Sequence, residues 1–162
     1  MVALELKIPP PVVALVFGLL MWLVSSVAGA ADVSFGNRIG VAVVVALVGV
    51  AFGFTAMGAF LRAKTTMNPI NPNAASSLVT HGVFRVSRNP MYLSLVLYLV
   101  AWAAYLSNWL ALLLVPVFVL YINRFQIKPE ERALSALYGP AYSSYKARVR
   151  RWGSCRNRWF SL

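Results

Sequence analysis

Residues 8–31 read IPPPVVALVFGLLMWLVSSVAGAA, and residues 39–61 read IGVAVVVALVGVAFGFTAMGAFL; neither run holds a charged side chain. A helix rises about 1.5 Å per residue and needs roughly 20 apolar residues to cross about 30 Å of hydrocarbon, so each run is long enough to span a bilayer. Two shorter apolar runs follow, at about 91–106 and 109–123, separated only by Ser107 and Asn108. They predict a tight helical hairpin that need not span fully, with Pro116 placed to kink its second arm. The expected fold is an all-α integral membrane protein of one domain over residues 1–162. It has four transmembrane or near-spanning helices, a cytoplasmic loop and C-terminal amphipathic helices.

Composition agrees. The chain has 162 residues, 60% of them hydrophobic and 12% charged, with mean hydropathy +0.71. Soluble domains are about 45–50% apolar and about 25% charged, so one aqueous core cannot absorb this excess. Disorder is excluded by the same numbers, and a disulfide scaffold by Cys155 being alone. The net charge of +11 is strongly asymmetric: of 15 Lys and Arg, Arg38 is alone between the first two apolar runs and the other 14 lie on the opposite side. The positive-inside rule then puts both termini and residues 62–90 in the cytoplasm, in keeping with a bacterial inner-membrane protein. Cations so placed fit a bilayer with anionic headgroups; no groove-reading motif points to nucleic acid, and nothing marks an obligate protein partner. Within the second run, the Gly49–Gly53 spacing suits close helix packing, expected here against the first helix.

Two polar segments remain. In residues 62–90 Asn-Pro recurs at 68–69, 71–72 and 89–90, each a turn signal, and Asn68, Asn71 and Asn73 read as turn formers. After Arg124, Pro129-Glu130-Glu131 is a helix start with its carboxylates at the positive end of the dipole, and Gly139-Pro140 stops that helix and begins another. Tyr138, Tyr142, Tyr145, Val149 and Trp152 then form one aromatic stripe, which predicts a helix lying in the headgroup region with Tyr145 and Trp152 as interfacial anchors.

Leu78-Val79-Thr80-His81-Gly82-Val83-Phe84-Arg85, followed by Arg88-Asn89-Pro90-Met91-Tyr92, resembles the L-V-T-x-G-x-(Y/F)-x…R-(H/N)-P-x-Y signature of a membrane methyltransferase family. That family includes isoprenylcysteine carboxyl methyltransferases and phospholipid N-methyltransferases. Glu130-Glu131-Arg132-Ala133-Leu134, then Tyr138-Gly139-Pro140-Ala141-Tyr142 and Tyr145, resembles its second motif, E-E-x-x-L-x-x-x-(F/Y)-G-x-x-Y-x-x-Y. The ordered pair covers about residues 62–152. The resemblance implies an enzyme that uses S-adenosylmethionine and releases S-adenosylhomocysteine, holding the cofactor between the hairpin and its flanking segments. No glycine-rich dinucleotide fingerprint is present, as that implies. Metal ligation is not expected.

Methyl transfer from a sulfonium is an in-line displacement, for which a protein supplies alignment and a dry site. Arg88, His81 and the backbone of Gly82, Val83 and Phe84 are candidates for the cofactor's carboxylate. Glu130 and Glu131 are both candidate acceptors for its ribose or amino group, with Glu131 the first choice, and Phe84, Pro90, Tyr92, Tyr138 and Tyr142 are candidate walls. Arg124, where the hairpin leaves the bilayer, is the candidate for orienting an acceptor carboxylate or phosphate, and Glu130 is the candidate base. Asn89 and Ser94 stand where the prenylcysteine enzymes commonly have His and Gly. The acceptor is expected to be apolar or lipid-like: first the carboxylate of an isoprenylcysteine-type compound, otherwise a phospholipid amine or a small thiol. The rival readings are a small four-helix transporter and a non-catalytic adaptor. The transporter lacks the intramembrane acid that ion pathways use, since Glu5, Asp32, Glu130 and Glu131 all lie outside the apolar runs. The adaptor leaves residues 78–92 unexplained.

Overall fold

The computed structural model describes residues 5–28, 34–64 and 77–153. The turns expected at Asn68, Asn71 and Asn73 lie outside them, as do Asp32, Cys155, Arg156 and Arg158. Five helices make up the described residues: α1 (Pro10–Ala28), α2 (Phe35–Arg62), α3 (Pro90–Leu106), α4 (Trp109–Ile122) and α5 (Lys128–Arg148). The fold is all-helical. α1, α2 and the rod that α4 begins are long and apolar enough to cross a membrane, and α3 is a shorter apolar helix of 17 residues. Large apolar side chains face outward throughout, among them Leu15, Phe54, Trp109 and Leu120, each about two-thirds or more exposed. In water that surface would be untenable; in hydrocarbon it is the expected exterior.

The hairpin forms as its sequence predicts. Ser107 ends α3 in the left-handed conformation, and the Asn108 side chain caps α4 by accepting from the Ala111 N–H at 3.1 Å. α4 does not end where its apolar run ends. It passes through a π-helical turn, Asn123–Ile127, straight into α5. Pro129 has no N–H for the carbonyl of Phe125, four residues back, and Leu6 donates to that carbonyl instead at 3.1 Å. Buried Gln126 reaches from the same turn to the Ile8 carbonyl at 2.6 Å. A proline and a π-turn thus open the helix at the place where the N-terminal segment docks. Gly139, at φ 48° and ψ −120°, breaks α5 ahead of Pro140 into two helical stretches, as the Gly139-Pro140 pair predicts.

Two expectations fail. Gly49 and Gly53 pack against α3, not α1: a methyl group on Gly49 would lie 3.0 Å from Tyr98 Cε1 and 3.2 Å from Leu97 Cβ. α1 lies instead against α4 and α3, with Trp102 donating its indole N–H to the Gly18 carbonyl at 3.0 Å. The aromatic stripe of α5 also does not lie on headgroups. Tyr142, Tyr145 and Val149 are buried in a cluster with Ala56, Ala59, Val79 and Phe84, and the Tyr145 hydroxyl donates to the Phe84 carbonyl at 2.7 Å. Trp152 packs on the other core, and its indole N–H donates to Asn123 Oδ1 at 3.2 Å. A stripe of aromatics is satisfied as well by protein as by lipid interface, and here residues 78–85 cover it.

Overpacking the closest helix contact should be costly. Gly49→Leu is expected to destabilise the protein by about 1–3 kcal/mol, seen as a lower melting midpoint in detergent. Gly18→Ala, with nothing within 4 Å of the added methyl group, should leave the midpoint unchanged. Tyr98→Ala added to Gly49→Leu should restore part of the loss.

Candidate active site

A cavity of about 500 Å³ opens between the start of α1, the last turns of α2, the start of α3 and the first turns of α5. Segment 77–90 walls it from the side that carries the Lys and Arg residues. Of the residues singled out in the sequence, Phe84, Arg88, Pro90, Tyr92, Glu130, Glu131 and Tyr142 line it. Tyr145, expected at the membrane interface, lines it too. His81 and Gly82 are exposed and sit at the turn preceding Phe84, while Val83 and Tyr138 pack behind the wall. Gly82, at φ +61°, begins the 3₁₀ turn (Gly82–Arg85) that swings Phe84 inward.

Arg124 is not brought to this cavity. Its guanidinium pairs with Glu5 at 3.0 Å, stacks toward the Phe125 ring and is 45% exposed; Arg132 pairs with the other oxygen of Glu5. The helix turns it to the outside, where with Arg132 it tethers the N-terminal segment through Glu5.

The adjacent carboxylates have opposite surroundings. Glu131 is 8% exposed and held by two arginines. Arg151 grips it bidentately, Nε to Oε1 at 3.0 Å and Nη2 to Oε2 at 2.7 Å, and Arg88 Nη1 stands 2.9 Å from Oε1. Burial alone would raise the Glu131 pKa, but the Arg151 hydrogen bond and the two guanidinium charges outweigh it and hold the group below the usual carboxylate range. Arg151 itself is raised, first by that hydrogen bond. Glu130 has no cation partner among the described residues. Its Oε2 accepts the Tyr92 hydroxyl at 3.0 Å. Desolvation pushes its pKa up to about 7, against the lowering effect of that hydrogen bond and with a small rise from Glu131.

In the sequence nothing sets Arg151 apart from the other Lys and Arg residues of its side. It lies past the end of α5, where the chain turns extended at Val149 and no periodicity applies. Three polar groups hold this return. Ser87 Oγ donates to the Arg151 carbonyl at 2.9 Å, Asn89 Nδ2 approaches the same carbonyl at 3.4 Å, and Arg88 N–H donates to the Arg150 carbonyl at 3.1 Å. Asn89, already conspicuous in the first motif, was the one available signal of this contact. Asn123 accepts from Arg151 Nη1 at 3.4 Å, completing the link to the π-turn.

Residues 37–141 match the family described as phospholipid methyltransferase. The chain belongs to that family. A Haemophilus influenzae protein described as an uncharacterized protein is 53% identical over 62 residues, which cover 38% of this chain and 98% of that protein. Among solved structures none matches. The chain is therefore a membrane methyltransferase, and membership implies S-adenosylmethionine as methyl donor. The cavity suits such a molecule in three respects. Its volume lies in the range of small-ligand sites. Phe84, Tyr142 and Tyr145 offer aromatic walls. Arg88 Nε–H is buried without a protein acceptor, as a donor kept for an anionic group would be. Among the described residues no group of His, Cys, Asp or Glu is placed to hold a metal ion.

Two measurements follow for the methyltransferase. Removing Glu131 leaves two buried or half-buried guanidinium groups facing each other, so Glu131→Ala should cost about 3–5 kcal/mol and lower the melting midpoint sharply. Glu130 has the opposite signature. The folded protein keeps a proton that the unfolded chain releases near 4.5, so stability should fall as pH rises from about 4.5 through about 7. Glu130→Gln should flatten this slope between pH 5 and 8. Glu131 does not contribute there, because its contribution is lost only as pH falls below the usual carboxylate range.

Proposed function

We propose that this methyltransferase uses S-adenosylmethionine to methylate the amine of a lipid-like acceptor, with Glu130 as proton acceptor. The observation that carries this is the pairing state of the cavity's carboxylates: among the described residues Glu131 is consumed by Arg88 and Arg151, and Glu130 has a tyrosine hydroxyl and no cation. An ammonium group is attracted to that carboxylate, and it must give up a proton before its nitrogen has a lone pair with which to attack. A group with a pKa near 7 is suited to take it. A carboxylate acceptor, as in an isoprenylcysteine-type compound, would need a cation at the same place. Arg124 is on the outside, and Arg88 already faces Glu131.

S-adenosylmethionine, when bound, supplies an electrophilic methyl group on a sulfonium sulfur. The residues of this chain do the rest. Arg88 binds through its unpartnered Nε–H, and the Glu131 carboxylate, clamped by Arg151, keeps that guanidinium in position. Phe84, Tyr142 and Tyr145 exclude water. Tyr92 orients Glu130 toward the cavity and stabilises its charged form. Phe54 and Met57, which line the cavity and are also exposed on the outer face of α2, give an apolar chain a path from the bilayer. The distribution of Lys and Arg supports a cytoplasmic position for the cavity and the inner membrane of a bacterium as its location.

Single-turnover rates on phosphatidylethanolamine and on a carboxylate-bearing prenyl thioether test this reading. Glu130→Gln should slow transfer to the amine by about 10²-fold or more while S-adenosylhomocysteine affinity stays near wild type. Tyr92→Phe, which removes the bond favouring the carboxylate, should move the pH–rate midpoint upward. Arg124→Leu should stay active. Transfer to the thioether carboxylate alone, or an undiminished Glu130→Gln, would overturn the assignment. Loss of S-adenosylhomocysteine binding in Glu130→Gln would instead make it a cofactor ligand.

A further inference from the structure

A second pocket, of about 240 Å³, lies at the other ends of the helices, where α1 finishes, α2 begins and α3 finishes. Trp22, Ser25, Ser26, Arg38, Tyr105 and Leu106 line it. Arg38 is the one cation the chain places between its first two apolar runs. Its Nε–H is buried and has no hydrogen-bond partner among the described residues, and the Ser25 hydroxyl of the same pocket is in the same state. Ser26 disposes of its hydroxyl by donating to the Leu23 carbonyl at 2.8 Å, the ordinary solution for serine on an apolar helix, and Ser25 does not. No acid among the described residues pairs with Arg38; its guanidinium stands over the Phe35 ring at 5.1 Å.

A buried guanidinium N–H and a buried hydroxyl, both unmatched and both lining one pocket, are costly unless something fills it. The complement is an acceptor-rich anion. We infer that this pocket binds the phosphate group of a membrane lipid, from the leaflet opposite the candidate active site. The guanidinium fork and the serine hydroxyl supply donors to the phosphate oxygens. Trp22 and Tyr105, half-exposed aromatics with polar tips, stand at the depth where a headgroup meets its acyl chains. The exposed apolar face of α1, including Leu19 and Leu23, continues from the pocket toward the bilayer centre as a track for those chains. Such a ligand would join α1 to α2, which both pack on α3 and little on each other.

The test is thermal unfolding of the full chain in a neutral detergent with three additives: phosphatidylglycerol, diacylglycerol and inorganic phosphate. A ligand that binds only the folded state raises the midpoint by mass action. Phosphatidylglycerol should raise it and diacylglycerol should not. Most of the rise should disappear in Arg38→Gln and part of it in Ser25→Ala, a substitution small enough to leave folding intact. Arg38→Lys, which keeps the charge and loses the fork, should recover only part. A rise with inorganic phosphate that also depends on Arg38 would make the ligand a free anion taken from solution. Equal stabilisation of wild type, Arg38→Gln and Ser25→Ala, or of none of them, would overturn the site. Methyl transfer is not read in this experiment, so failure of the proposed reaction leaves its outcome unaffected.

Discussion

The clamp of Arg88 and Arg151 on Glu131 is the interaction on which the rest of the site depends. It gathers three stretches that are far apart in sequence: the segment that covers the cavity, the first turn of α5, and the chain after α5 has ended. Two guanidinium groups and one carboxylate, mostly out of water, are stable only as a set, because removing a member strands charge in a poor solvent. Ser87 and Asn89 fix the Arg151 backbone and Asn123 accepts from its guanidinium, which keeps the cluster in one arrangement and leaves the Arg88 Nε–H for a ligand.

That clamp also explains why neighbouring glutamates behave differently. Residues 130 and 131 lie about 100° apart on a helix and cannot both face one partner. The arginines arrive on the Glu131 side, and among the described residues Glu130 has the Tyr92 hydroxyl and no cation. One carboxyl is therefore held charged and structural, and the other is held near neutrality and available. The fold separates two chemically identical groups by surroundings alone, as acid–base sites require.

Membrane insertion and the site make different demands on the same helices. α1 and α2 present apolar surface nearly all round, so lipid does not dictate which faces meet; close backbone approach at Gly49 and Gly53, and the indole bond from Trp102 to Gly18, do. The π-turn is a further concession. It interrupts regular helix where Pro129 forbids a hydrogen bond, and the N-terminal segment takes the carbonyl so freed. The rod then carries Glu130 and Glu131 directly from the membrane into the cavity wall.

Much of this was legible in the residues themselves. Four apolar segments, the Ser107-Asn108 hairpin turn, the break at Gly139-Pro140 and the one-sided Lys and Arg follow from length, charge and spacing, which act locally or through the bilayer; the paired motifs at 78–92 and 130–145 follow from resemblance to a family. Several matters did not follow: which helix Gly49 faces, whether the Tyr142–Tyr145 stripe meets lipid or protein, on which side of the rod Arg124 emerges, and that Arg151 returns to Glu131. Each depends on what another part of the chain brings to the same place. A glycine face accepts any close backbone, an aromatic face any apolar cover, and a cation any acid, so local chemistry states the need and only tertiary packing chooses the partner.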